Sequence, residues 1–97
     1  MKYRVILSPE ARADFHGLCA FDRAKARDAI DTHLQHTPAA ESKSRIKRLR
    51  DLRKPQYRLR VDDLRVFYDV EAGDVIVVGI VEKAHAETWL AETGELK

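Results

Sequence analysis

The 97 residues hold one cysteine, Cys19, so no disulfide can close within the chain and stability must come from a packed core. With no base beside it in sequence, Cys19 reads as a small half-buried hydrophobe, not a nucleophile. Four glycines and three prolines are too few for a low-complexity tract or a domain linker, and no internal repeat is visible. No apolar run approaches the ~20 residues of a membrane span, and Val5-Ile6-Leu7 is too short for a signal-peptide core, so no membrane partner is expected and the expected location is cytoplasmic. The four histidines give no metal-ligand spacing: His33 and His36 stand at i, i+3 with no third ligand nearby, and His16 has no partner. Neither a metal nor another cofactor is expected. A chain of this length forms a single domain, 1–97, burying roughly 60–70% of its unfolded surface.

What the chain does have is a concentrated charge. Nine of its eighteen Lys and Arg lie between Lys43 and Arg60, namely Lys43, Arg45, Lys47, Arg48, Arg50, Arg53, Lys54, Arg58 and Arg60, against one acid, Asp51. The other 79 residues carry nine basic and fifteen acidic side chains, a formal charge of −6, so the net +2 conceals a polarised molecule. Such a focused positive field attracts a phosphate backbone, or an acidic partner that mimics one. The competing reading is a solvated cationic loop.

The apolar pattern gives the order of elements. Tyr3 to Leu7 alternates as a short strand, and Ser8-Pro9-Glu10 supplies an N-cap, a first-turn proline and a first-turn acid. The helix so begun carries Ala11, Phe15 and Leu18 on one stripe and is expected to end near Ala20. A second helix, capped by Asp22, places Ala26, Ala29, Ile30, His33 and Leu34 on one face and stops before Pro38, completing a helical hairpin. Thr37 to Ser44 reads as loop. Ile46, Leu49 and Leu52, three apart, permit a helical turn without requiring one. From Gln56 the period is two: Tyr57, Leu59 and Val61 face one way, Arg58 and Arg60 the other. Asp62-Asp63 turns the chain into Leu64–Val70, and Ala72-Gly73 into Val75–Val81, which is apolar on both faces and so belongs inside the sheet. Ala84 to Glu92 has helical composition, with Trp89 available for docking and Gly94 placed as a C-cap. The expected fold is α+β, β-α-α-β-β-β-α, with the helical hairpin on a four-stranded, mainly antiparallel sheet.

This order, with Leu7-Ser8-Pro9-Glu10-Ala11 opening the first helix, Gln56-Tyr57-Arg58-Leu59-Arg60-Val61 leading to Leu64-Arg65-Val66-Phe67-Tyr68-Asp69-Val70, and Gly79-Ile80-Val81-Glu82-Lys83 closing the last strand, resembles the RelE/ParE toxin superfamily, most closely its RelE-type branch. The resemblance runs from Tyr3 to about Trp89. It implies the toxin of a type II toxin–antitoxin module, held inactive by a cognate antitoxin that is extended, partly disordered and acidic. RelE-type members cut mRNA in the ribosome, whereas ParE-type members poison DNA gyrase. By position, Arg58 and Arg60 match the family's basic pair and Arg65 its phosphate-binding arginine. Near the start of the last helix the family's tyrosine is absent. Lys83 stands where an arginine is usual, and His85 is the obvious titrating candidate.

Cleaving RNA by its own 2′-OH requires activation of that hydroxyl, stabilisation of charge on the phosphorus and protonation of the leaving 5′ oxygen. Arg58, Arg60 and Arg65 suit the second task, since a guanidinium stays protonated and grips two phosphate oxygens. Arginine is a poor proton acceptor, so the transfer needs another group, and His85 is placed closest, while Lys83 either approaches the phosphate or simply ends the strand. Lys43, Arg45, Lys47, Arg48, Arg50, Arg53 and Lys54 would form the flanking nucleic-acid grip. The partners implied are the antitoxin, ribosome and mRNA. The rival readings are a gyrase inhibitor, which needs no proton-transfer group, and an inactive relative that only binds its antitoxin.

Overall fold

In the computed structural model, which describes residues 2–97, the chain runs β1 (Arg4–Leu7), α1 (Pro9–Gly17), α2 (Ala20–His33), β2 (Ile46–Arg48), β3 (Leu52–Lys54), β4 (Tyr57–Val61), β5 (Leu64–Glu71), β6 (Asp74–Glu82), a 3₁₀ turn (Lys83–His85), α3 (Ala86–Thr93) and β7 (Glu95–Leu96). The α+β class and the helical hairpin on a sheet stand as expected. The sheet has five strands instead of four, in the order β1-β6-β5-β4-β2, with β1 parallel to β6 and the other neighbours antiparallel. The fifth strand and the small β3–β7 ladder come from the basic window and the extreme C-terminus. Three-residue and two-residue strands are too short to show a period in sequence. Ile46 turns inward opposite Leu59 while Lys47 points out opposite Arg58, so the i, i+3 spacing of Ile46 and Leu49 belongs to a strand and its exit turn, not a helix.

One face of the sheet packs under the hairpin. Ala11, Ala26, Ile30 and Leu34 meet Leu59, Val61, Leu64, Val66, Tyr68, Val75, Val77 and Ile80, all buried, with Phe15, Leu18 and Ala29 packed at the margin. Tyr68 is fully buried and donates its hydroxyl to the Pro38 carbonyl at 2.6 Å, tying the loop after α2 to the sheet, and Tyr57 stacks on it at 5.4 Å. Ser8 caps α1 as expected, its Oγ accepting from the Ala11 amide at 3.1 Å, with Pro9 in the first turn. The break between the helices falls earlier than expected. Leu18 and Cys19 are both extended, α1 ends at Gly17, and Cys19, not Asp22, occupies the N-cap position of α2. The Arg23 guanidinium donates to the carbonyls of His16 and Leu18, satisfying groups the first helix leaves open. Cys19 is exposed at this junction, not half-buried.

The second face is covered in part by α3. A register shift between β5 and β6 pairs Phe67 with Gly79 and Tyr68 with Val77. At that point Trp89 lies flat on Phe67, ring centroids 4.7 Å apart and nearly parallel. Gly79 is required there: a Cβ would stand 2.4 Å from Trp89 Cζ2. Gly94 ends α3 in an extended conformation, not a left-handed one, and a side chain would press on the Leu90 carbonyl. Both hairpin turns use positive φ, at Asp62 (50°) and at Ala72 and Gly73 (40° and 90°), which suits the tight connections around β5.

Candidate functional site

Strand alternation sends Leu59 and Val61 into the core and Arg58 and Arg60 to the opposite face, which α3 covers only in part. Across the ladder Arg58 has Lys47 on one side and Phe67 on the other, while Arg60 stands directly opposite Arg65. Between this face and the start of α3 lies a cavity of about 510 Å³, within the range of ~300–1,000 Å³ usual for ligand sites. Lys47, Leu49, Arg58, Arg65, Phe67 and Lys83 line it, with Ala84, Ala86, Glu87, Thr88 and Leu90. Phe67 and Leu90 contribute apolar side chains to its lining, and Lys47, Arg58, Arg65 and Lys83 contribute cations. A second cavity of about 450 Å³ continues past Lys47 and Leu49 to Arg48, Arg50, Leu52 and Glu41.

The electrostatics of the first cavity are lopsided. Arg58 is half-buried and its Nε is out of contact with solvent and has no hydrogen-bond partner. Burial pushes its guanidinium below the usual arginine range, and the charges of Arg65 and Arg60 push it the same way. Arg65 is 6% exposed; its Nη1 donates to the carbonyls of Asp62 at 2.7 Å and Leu64 at 2.8 Å, so it is rigidly held by the turn between β4 and β5. It too is shifted down, by burial first and then by Arg60, with Asp63 acting in the opposite direction. Among the described residues, Arg58, Arg60, Arg65, Lys47 and Lys83 form no ion pair. Four cations without ion pairs around one cavity, Lys47, Arg58, Arg65 and Lys83, suit it to an anion with several oxygens.

The expected site residues therefore separate into groups. Arg58, Arg65 and Lys83 come together, and Lys47 joins them from the flanking strip. Arg60 is exposed beside them, acting on Arg58 and Arg65 through charge. His85 lies exposed on the 3₁₀ turn and is not among the residues lining the cavity. Of the strip, Lys43 and Arg45 are exposed just before β2. Arg50 is gripped by both carboxylate oxygens of Glu41 at 3.1 and 2.9 Å, Arg53 pairs with Glu95, and Lys54 pairs with Glu71 at 3.5 Å. The Arg48 guanidinium sits 5.0 Å from the centre of the Tyr57 ring. The strip is thus less positive than the sequence count suggests, because its partners come from 9, 17 and 42 residues away.

Glu87 and Thr88 reach the cavity although nothing in their immediate sequence marked them. The docking of Trp89 on Phe67 holds α3 against this face of the sheet, and both side chains are exposed where they line the cavity. No group of three or more His, Cys, Asp or Glu side chains among the described residues is arranged to hold a metal ion, and no helix is long and apolar enough to cross a membrane.

Residues 5–86 match the family described as the ParE toxin of type II toxin–antitoxin system, parDE. Among solved structures, the chain is similar to the RelBE2 toxin–antitoxin complex from Mycobacterium tuberculosis, at 22% identity and a TM-score of 0.66 over 84% of this chain and 99% of that one. It is also similar to the RelB–RelE antitoxin–toxin complex from Methanococcus jannaschii, at 15% identity and a TM-score of 0.67 over 87% and 96%, and to the archaeal RelE–RelB complex from Pyrococcus horikoshii, at 20% and 0.61 over 86% and 97%. At these identities the likeness is one of fold. No curated relative matches the chain by sequence.

Proposed function

The chain belongs to the ParE toxin family of type II toxin–antitoxin systems, and among the activities open to such a toxin we propose, from the cavity around Arg58, that it is a ribosome-dependent mRNA endoribonuclease, inhibiting translation in the cytoplasm and silenced by a cognate antitoxin. The observation that carries this reading is the unbalanced Arg58, its Nε buried without a partner beside Arg65 and Lys83 in an open cavity. An uncompensated guanidinium costs stability in the free protein, and a phosphate that supplies the missing charge recovers it. In an in-line attack by a 2′-OH, the charge that grows on the phosphoryl oxygens would meet donors already in place, so little reorganisation is needed at the transition state. Arg65 suits the fixed position in that clamp, since two backbone carbonyls hold its guanidinium. Lys43, Arg45, Lys47 and Arg60 would extend the grip along the RNA backbone.

Three of the structures it resembles are complexes of toxins with their antitoxins, which supports an antitoxin partner here. Acidic residues of such a chain would meet the same unpaired cations, and its apolar side chains the groove beside Leu49, Leu52 and Leu90.

The test is a cell-free translation reaction programmed with a defined mRNA, to which the protein or its Arg58→Met variant is added and 5′ ends are mapped by primer extension. Ribosome-dependent cuts by the wild type, reduced at least 100-fold in the variant, are expected. Uncut message would overturn the reading.

A second reading has its own support: the matching family is described by ParE, and His85 stands outside the cavity. A gyrase inhibitor needs a binding surface and no proton acceptor. It predicts intact mRNA and inhibited DNA supercoiling by purified gyrase. If neither target responds while the antitoxin still binds, the protein acts only as an antitoxin-binding partner.

A further inference from the structure

The clamp described above explains how charge on the phosphate is met, but not where the proton of the attacking hydroxyl goes. Arginine and a protonated lysine cannot accept it. The cavity's lining includes one group that can, the carboxylate of Glu87, carried on the first turn of α3. From this placement, and resting on the endoribonuclease reading, we infer that Glu87 is the general base of the cleavage reaction.

Three observations support it. Among the described residues Glu87 enters no side-chain hydrogen bond or ion pair, although cations line the same cavity, so its carboxylate oxygens are not engaged by another side chain. The other titrating candidates are elsewhere. Glu41 in the adjoining cavity is engaged by both nitrogens of Arg50, His85 is outside the lining, and His16 and His33 belong to the hairpin on the opposite face of the sheet. Lastly, the stack of Trp89 on Phe67, over Gly79, docks α3 on the same face of the sheet as Arg58 and Arg65, which brings its first turn to the cavity they line.

The step balances without a further reactant. The Glu87 carboxylate takes the proton of the 2′-OH, the 2′ oxygen forms a bond to phosphorus, and the bond from phosphorus to the 5′ oxygen breaks. The departing 5′ oxygen takes a proton from water at the open mouth, leaving a 2′,3′-cyclic phosphate on the upstream fragment, and Glu87 returns its proton to solvent. The charged groups that line the cavity with Glu87 are Lys47 from β2, Arg58 from β4, Arg65 from β5 and Lys83 from the 3₁₀ turn, all cationic.

The test compares wild type, Glu87→Gln and His85→Gln on programmed ribosomes under single-turnover conditions from pH 5 to 9, with ribosome affinity measured in parallel. Glu87 is exposed, so the substitution leaves the fold intact, which a melting curve verifies. Glu87→Gln is expected to slow cleavage by about 10²–10⁴-fold with affinity changed less than threefold, and to remove the fall in rate on the acid side of the wild-type profile. Partial rescue by Glu87→Asp, and a wild-type profile for His85→Gln, complete the expected pattern. If wild type cuts and Glu87→Gln cuts within threefold of it, or faster, the base is not Glu87 and the endoribonuclease reading stands. If wild type makes no cut, the endoribonuclease reading fails and this assignment falls with it.

Discussion

Replacing Arg58 by methionine separates function from stability in opposite directions, and the structure sets the size of the effect. In the free protein Arg58 Nε is buried and has no hydrogen-bond partner, a condition worth about 1–3 kcal/mol of destabilisation. Repulsion from Arg65 and Arg60 has the same sign. Methionine retains an unbranched apolar stem that can lie along Phe67 and Leu49, so little buried apolar area is lost. Arg58→Met should therefore be more stable than wild type by about 1–2 kcal/mol, raising Tm by about 4–8 °C per kcal/mol in a domain of this size. Urea titrations read by Trp89 fluorescence are the assay, the expected change being a higher midpoint at unchanged slope. Inorganic phosphate should raise the stability of wild type and not of the variant, narrowing the gap between them. If Arg58→Met is destabilised by about 1 kcal/mol or more, the guanidinium is satisfied in the free protein, and the argument that the cavity is built for an anion fails.

Two further outcomes are expected. Gly79→Ala places a methyl group 2.4 Å from Trp89 Cζ2, so α3 must shift; a loss of about 1–3 kcal/mol and a red-shifted Trp89 emission should follow, and in combination with Trp89→Leu the two costs should fall well short of additive. Emission and stability equal to wild type would mean that α3 is not docked as described. Glu41 provides the pH test. The Arg50 guanidinium, and then the Arg48 amide, hold its carboxyl at about 2, below the ordinary 4.5. A folded-state value lowered in this way contributes stability above the unfolded value, which is lost as pH falls from about 4.5 toward 2. The Arg48 amide resonance should accordingly titrate near pH 2 and lose that transition in Glu41→Gln; a midpoint near 4.5 would show that the pair does not persist in solution. Because both groups are exposed, salt should weaken the effect.

The local sequence determined a good part of this protein. Ser8-Pro9 set the start of α1, because a cap and a fixed φ act over a few residues. The alternation from Tyr57 to Val61 assigned Leu59 to the core and Arg58 to the opposite face, because strand geometry reverses direction at every residue. The double-sided apolar run of β6 placed it inside the sheet, where it lies between β1 and β5. The order of these pieces was enough to mark the family. The break between the helices was harder to read, since Gly17, Leu18 and Cys19 each tolerate helix and the stop depends on Arg23 reaching back to two carbonyls.

Only the tertiary structure decided which charges are free. The basic window counts nine cations in sequence, yet Glu41, Glu71 and Glu95 come from outside it to neutralise Arg50, Lys54 and Arg53. Arg58 looks like its neighbours in the string of residues and differs from them through burial, which depends on Phe67 and α3. Glu87 reaches the cavity because the stack of Trp89 on Phe67 docks its helix on the face of the sheet that carries the arginines. A charge is local to its residue, but its partner, its desolvation and its direction are properties of elements distant in the chain, and these are what make a cationic surface into a site.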